Sequence, residues 1–167
     1  LEHPNGVRVR GQQVYVTQSM LSKVKDPSGL LVSAVYRFGA DDKNVKVANT
    51  LEDKKNLVTT FTTLNKHCQY GADGLAFDKA GNLYVGNFGD GAIHKITFDA
   101  AGKAASNTIF ARTDHDYTLD PKRPGFALEL PEAQHDLAPG VIDLLAEYQI
   151  ERHIRRDRDE GENRLRK

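Results

Sequence analysis

The chain has 167 residues, of which 39% are apolar and 28% are charged, values that are typical of one soluble globular domain. Its formal net charge is zero, which removes the usual electrostatic reason to expect nucleic acid as a partner. No apolar run reaches the roughly 18–20 residues that cross a membrane, and no secretion signal is predicted. We therefore expect neither nucleic acid nor a membrane as a partner, and we assign no compartment.

The first part of the chain alternates apolar and polar residues with the period of a β-strand. Residues 7–10 and 14–18 form two such runs around a turn at Gly11, and residues 30–38 form a third. Residues 57–61 are the best candidate for a fourth strand, within a stretch rich in Thr and Lys. The pattern predicts a four-stranded antiparallel unit.

The same order of features returns 68 residues later. Residues 75–77 and 83–87 form two strands around a turn that contains Gly81, and residues 92–98 and 108–111 form two more. In both units an Asx-Gly pair opens the first strand, and the turn glycine supplies the positive φ that tight hairpins need. The repeat predicts two blades of a β-propeller, which are too few to close a ring.

The composition changes after Arg112. Residues 1–112 carry 14 Lys and Arg against 10 Asp and Glu, whereas residues 113–167 carry 9 against 13. Prolines interrupt the next stretch, and from about Pro139 the apolar residues return with helical spacing. We therefore predict a mainly β fold, with an incomplete β-propeller of about two four-stranded blades in residues 1–112. Residues 113–167 are predicted to form a Pro-rich connector and a charged C-terminal α-helix.

Two motifs in the β region occur together in one known family. Residues 71–85 (GADGLAFDKAGNLYV) combine Asp-Gly, an apolar strand, a turn with Asp and Gly, and an aromatic strand. Residues 3–7 (HPNGV) contain a Pro-Asn-Gly sequence that opens an earlier strand. In this order the motifs resemble the SMP-30/gluconolactonase-like six-bladed β-propellers. The resemblance covers about residues 3–111 and does not extend to residues 113–167.

The resemblance implies a metal-dependent lactone hydrolase. It implies a divalent cation, usually calcium, on the axis of the propeller, with Asn5 and Asp73 as two of its ligands. Amide and carboxylate oxygens are donors that calcium prefers. In such a site the cation polarises the lactone carbonyl and activates water, and Asp73 is also the candidate general base.

The same resemblance indicates what the chain lacks. The family has a further glutamate ligand in an early blade, and most of its substrate contacts come from blades that would precede Asn5; Glu2 is no substitute for that glutamate. The chain therefore carries at most half of such a site, and we expect another copy of the chain or a partner protein to complete the propeller. Two alternatives remain open: a non-catalytic protein-interaction module and an inactive truncated or fused segment.

Turn chemistry competes with ligand chemistry at several positions. Asn5 and Asp73 each precede a glycine, which is also a plain turn signature. Asp78, Asn82 and Asp90 lie at turns without EF-hand spacing, and we interpret them as turn residues. The six histidines lack paired zinc spacing and are expected at the surface or in turns. The aromatic residues at strand positions are expected in the core: Tyr15, Tyr36, Phe77 and Tyr84.

Overall fold

The computed structural model describes residues 1–24, 26–63 and 70–113, and the backbone of residues 128–129. The described residues contain no helix, and therefore none that is long and apolar enough to cross a membrane. They form strands β1 (Pro4–Arg10), β2 (Gln13–Gln18), β3 (Val32–Gly39), β4 (Leu57–Thr62), β5 (Ala72–Phe77), β6 (Leu83–Asn87), β7 (Ala92–Phe98), β8 (Ala104–Thr113) and β9 (Leu128–Glu129). The prediction of a mainly β fold is confirmed.

The strands form two antiparallel sheets in which sequence neighbours are also spatial neighbours. The first sheet has the order β1-β2-β3-β4, and the second has the order β5-β6-β7-β8 with the two-residue β9 at its edge. The two four-stranded units predicted from the repeat are confirmed, including the outer strand β4. Strand β9 lies in the segment predicted to be a connector, and the predicted C-terminal helix lies outside the described residues.

The two sheets repeat each other in register as well as in sequence. In the first hairpin Pro4 lies opposite Gln18, and in the second Ala72 lies opposite Asn87. Both first strands are irregular within the next three residues, after which regular pairing resumes. A bulge at the same place in both copies makes Asn5 and Asp73 structurally equivalent, because each is the residue that follows the first pair.

Each hairpin turns on the glycine that the sequence predicts. Gly11 has a φ of 57° and Gly81 a φ of 92°, a region that residues with a Cβ atom rarely adopt. In the second turn the Asp78 carboxylate accepts the Asn82 backbone N–H at 2.8 Å and its side-chain Nδ2 at 2.7 Å. The interpretation of Asp78 and Asn82 as turn residues is therefore confirmed.

The main core lies between the two sheets. Alternation along each strand directs every second side chain to this interface, where burial removes apolar surface from water. The first sheet contributes Tyr15, Val35 and Phe61, and the second contributes Ala72, Leu75, Leu83, Val85 and Ile96. The core position predicted for Tyr15 is confirmed, and Phe77 packs against the same cluster as a half-buried side chain.

A smaller cluster covers part of the opposite face of the first sheet. It contains Leu21, Val32, Ala34 and Tyr36, with Val24, Val47 and Leu57 packed against it. The long connections on either side of β3 supply several of these residues, so the segments that lengthen the first repeat cover its outer strands. They do not cover β1, where Val7 is 52% and Val9 64% exposed.

Candidate metal centre at the first strands

The two predicted ligands lie on neighbouring strands. Asn5 is the second residue of β1 and is exposed, and Asp73 is the second residue of β5 and is half-buried. The chains approach closely here, because a Cβ atom added to Gly6 would lie 2.7 Å from the main-chain oxygen of Asp73. A side chain at Gly6 would therefore push the two strands apart, which gives the Asx-Gly pattern a packing role.

Thr17 joins the two strands through one hydroxyl group. Its Oγ1 accepts the backbone N–H of Gly6 at 2.7 Å and donates to the carbonyl of Asp73 at 2.5 Å. Thr17 is fully buried, so water does not compete with these bonds. The main chains on either side of the candidate site are thus held by the same side chain.

Two serines continue this connection toward the start of β5. Ser19 Oγ accepts a hydrogen bond from Asn5 Nδ2 at 3.4 Å and donates to the carbonyl of Ala72 at 2.9 Å. Ser33 Oγ accepts the backbone N–H of Ala72, also at 2.9 Å. We call Thr17, Ser19 and Ser33 the hydroxyl seam, because their hydroxyls bridge the two sheets where no strand ladder does.

The hydroxyl seam was not predicted from the sequence. Its signal was present, since Thr17 and Ser33 alternate with the apolar residues that face the second sheet, and a hydroxyl on a buried face needs a partner. The partner is the main chain of β5, which sequence patterns do not reveal.

The oxygen donors of Asn5 and Asp73 suit a hard divalent cation, but two side chains are fewer than such an ion needs. Asn5 offers an amide oxygen and Asp73 a carboxylate, whereas calcium takes six to eight oxygen ligands. Among the described residues, no group of three or more His, Cys, Asp or Glu side chains could hold a metal ion. The remaining ligands of any cation here would have to be water or oxygens from outside the described residues.

Glu2, which the sequence does not favour as the missing glutamate ligand, bonds Ser22. Its Oε2 accepts the backbone N–H of Ser22 at 3.2 Å and also the hydroxyl of the same serine. The hydrogen bond from the Ser22 side chain is the main cause that lowers the pKa of Glu2. Glu2 therefore fastens the start of the chain to the loop after β2.

A second polar cluster joins the two sheets at their outer strands. His94 Nε2 lies 2.6 Å from Asp90 Oδ2 and its Nδ1 lies 2.8 Å from Asn107 Oδ1. Because Asn107 Nδ2 donates to the carbonyl of Thr60 at 3.3 Å as well as to Thr59 Oγ1 at 3.0 Å, the amide oxygen is the end that faces the imidazole. Both ring nitrogens thus lie within hydrogen-bonding distance of a side-chain oxygen.

This cluster corrects one expectation and confirms another. The His94 side chain is only 12% exposed and its ring meets Phe61 edge-on at 4.9 Å, so the expected surface or turn position is wrong for this histidine. The turn role of Asp90 is confirmed, since its Oδ1 also accepts the backbone N–H of Ala92 at 3.1 Å. These contacts link His94 of β7 to Asn107 of β8 and, through Asn107, to Thr59 of β4, so the cluster joins the two sheets.

No protein-family model, curated protein or solved structure matches this chain.

Proposed function

We propose that this chain is part of, or derives from, a metal-dependent lactone hydrolase whose cation is calcium. One observation supports the proposal most. Asn5 and Asp73 occupy equivalent positions in two repeats, on neighbouring first strands that Thr17 and Ser19 tie together. Two oxygen-bearing side chains of complementary type therefore start from main chains held at a short, defined separation.

In the proposed reaction, Asn5 and Asp73 hold the cation, which when bound supplies Lewis acidity and lowers the pKa of water. Asp73 accepts a proton from the attacking water while the water oxygen bonds to the lactone carbonyl carbon. The bond between that carbon and the ring oxygen then breaks, and Asp73 returns the proton to the ring oxygen, which becomes the hydroxyl group of the product. Water and lactone give one hydroxy acid, which releases a proton at neutral pH.

Calcium should stabilise the folded chain, since an ion that binds only the native state raises its free energy of unfolding. At a calcium concentration of roughly 100 times Kd the gain is about 2.7 kcal/mol, measured as a rise in Tm. Asp73→Ala should remove this rise, and it should remove proton release from a simple γ-lactone in a pH-stat. Asp41→Ala is the control, because Asp41 is exposed in the turn after β3 and should leave the calcium response unchanged.

Two outcomes would contradict the proposal. A parent chain whose Tm does not respond to calcium binds no such ion, and a chain that also exposes apolar surface to a hydrophobic dye would be the inactive segment. Equal calcium responses in Asp73→Ala and the parent would place the ion elsewhere.

A second candidate function is a protein-interaction module, favoured by the exposed valines of β1. Val7 pairs with Val16 and Val9 with Val14, so these four side chains share the face of the first sheet that points away from the second. Their repeat equivalents in the second sheet are all apolar and pack against the first sheet: Leu75, Phe77, Leu83 and Val85. By this equivalence the valine face (Val7, Val9, Val14 and Val16) is a surface for another sheet.

The turn glycines indicate what that other sheet would present. Arg10 Nη1 donates to the carbonyl of Gly81 at 2.9 Å, and its guanidinium lies 5.2 Å from the centre of the Phe77 ring. A Cβ at Gly81 would lie 1.9 Å from Arg10 Nη2, whereas a Cβ at Gly11, the equivalent glycine, meets nothing within 4 Å. Arg10 fills the space beside Gly81, whereas no described residue fills the equivalent space beside Gly11.

We therefore propose a partner with a four-stranded antiparallel sheet that presents an arginine and an aromatic ring to the valine face. Among the described residues, the first sheet of a second copy does not offer such a surface. Its own Arg10 already contacts Gly81, and its own Tyr15 packs on Phe77 with ring centres 4.9 Å apart.

A chain extended at its start by a further copy of residues 1–70 supplies this surface as a probe. In a Cys68→Ser background, the Val9→Cys thiol should react more slowly with a thiol reagent in the extended chain. Leu51→Cys is the control, because Leu51 is 51% exposed in a loop. Equal Val9→Cys reactivity in both chains would exclude this docking, and a parent dimer by light scattering that Val9→Lys dissociates would mean that a second copy covers the face.

A further inference from the structure

Ser19 lies between the two residues to which the proposed function assigns the cation. Its Oγ is 3.4 Å from Asn5 Nδ2 and 2.9 Å from the carbonyl of Ala72, the residue before Asp73. The serine is 8% exposed, so these two contacts occupy a hydroxyl that water hardly reaches.

The main chain of Ser19 is fixed on both sides. Its N–H donates to the carbonyl of His3 at 3.0 Å, and its carbonyl accepts the N–H of Gly71 at 3.1 Å. A Cβ added to Gly71 would lie 2.9 Å from that carbonyl oxygen, so the two chains are in close contact. The hydroxyl therefore projects from a backbone that is hydrogen-bonded to His3, just before β1, and to Gly71, just before β5.

The single proton of the Ser19 hydroxyl decides how the Asn5 amide is turned. A serine hydroxyl has one proton to donate and two lone pairs to accept. The carbonyl of Ala72 has no proton, so this contact requires the Ser19 proton, and the hydroxyl meets Asn5 only as an acceptor. Of the two ends of the Asn5 amide, only Nδ2 can donate, so Oδ1 is turned away from Ser19.

We infer that Ser19 is a positioning residue that selects Oδ1 of Asn5 as the atom offered to a cation. The inference rests on the proposed function, because calcium takes the oxygen of an amide and not its nitrogen. A hydroxyl that holds Nδ2 keeps the amide from presenting its nitrogen to the ion. Partners of this kind in the outer shell of a metal site fix the orientation of the ligand that binds the ion.

Calcium titration followed by calorimetry tests the inference on the full chain. Ser19→Ala should weaken calcium binding by about 10-fold or more, as outer-shell substitutions do. Ser106→Ala is the matched control, because the Ser106 hydroxyl is also hydrogen-bonded, to Thr97 Oγ1 at 2.6 Å, but this bond joins β8 to β7 and is not part of the hydroxyl seam. It should keep the affinity of the parent chain, and Ser19→Thr, which retains the hydroxyl, should restore most of the affinity lost in Ser19→Ala.

A metal-free measurement separates this inference from the proposed function. In EDTA, the side-chain amide of Asn5 should show one hydrogen-bonded, slowly exchanging proton by NMR in the parent and in Ser106→Ala, and this proton should exchange fast in Ser19→Ala. Unchanged Asn5 amide protons in a folded Ser19→Ala variant would overturn the inference, as would equal calcium affinities of Ser19→Ala and the parent. A parent chain that binds no calcium overturns the proposed function, and the Asn5 amide protons then decide alone whether Ser19 orients Asn5.

Discussion

The first strands of the two sheets, β1 and β5, have the same pattern but different surroundings. Leu75 in β5 is fully buried, whereas Val7 at the equivalent position of β1 is 52% exposed. The strands pair with their hairpin partners in the same register, each after the same irregularity. The difference therefore arises from what lies above each sheet face and not from the strands themselves.

Strand alternation assigns residues to one face of a sheet but does not decide whether another part of the protein covers that face. The period of two puts Val7 and Val9 on one side of β1, as it puts Leu75 and Phe77 on one side of β5. Coverage needs a second sheet at the right distance, and within the described residues β5 has one whereas β1 does not. An exposed apolar strand face of this kind marks an interaction surface or an aggregation hazard.

The largest expected effect comes from truncating the buried member of this pair. Leu75→Ala should lower the free energy of unfolding by about 2–5 kcal/mol, because it leaves a cavity between the sheets. Val7→Ala should change it by no more than about 0.5 kcal/mol, as expected at an exposed site. Urea unfolding of the two variants and the parent measures both values.

Similar losses in the two variants would break the comparison. They would mean that the valine face is buried in solution, and the loss in Val7→Ala should then depend on protein concentration if a second copy covers it. A loss that is independent of concentration would instead place another segment of the same chain over Val7.

Much of the β architecture follows from the sequence, for a physical reason. Strand alternation and turn glycines are local signals, so residues 92–98 were predicted with the bounds that β7 has, and Gly11 and Gly81 have the positive φ values expected of them. Strand β8 is longer than predicted, since Ala104–Thr113 begins with small and polar residues that carry no apolar alternation.

The candidate site was predictable only in part. The equivalence of Asn5 and Asp73 follows from the repeat, but their approach depends on a seam of hydroxyls that bond main-chain atoms 39 to 56 residues away. The role of His94 was missed for the same reason. Its partner Asp90 lies four residues away, yet its second partner, Asn107, comes from β8 and is itself held by Thr59 of the first sheet.

Each sheet has a deeply buried tyrosine on the face that points away from the other sheet, Tyr36 in the first and Tyr84 in the second, and both have a raised pKa. Burial is the first cause that raises the pKa of Tyr36 to about 12, helped by the charges of Asp53 and Glu2. Burial also raises the pKa of Tyr84 to about 12, with Asp78 as the second cause. The folded state thus keeps its phenol protons longer than the unfolded chain, whose tyrosines ionise near pH 10. This stabilisation is complete below about pH 10 and is lost as the pH rises toward 12.

Substitution by phenylalanine should lower the free energy of unfolding more at Tyr84 than at Tyr36, by a small but measurable amount. Tyr84→Phe should cost about 1 kcal/mol, because the Tyr84 hydroxyl lies 3.2 Å from Asp78 Oδ2 and donates to it. Tyr36→Phe should change stability little, since no residue in the described part of the chain bonds the Tyr36 hydroxyl. Absorbance titration at alkaline pH should show each variant to have lost one late-ionising phenol. Ionisation of either tyrosine near pH 10 with the fold intact would show that the corresponding outer face is open to water.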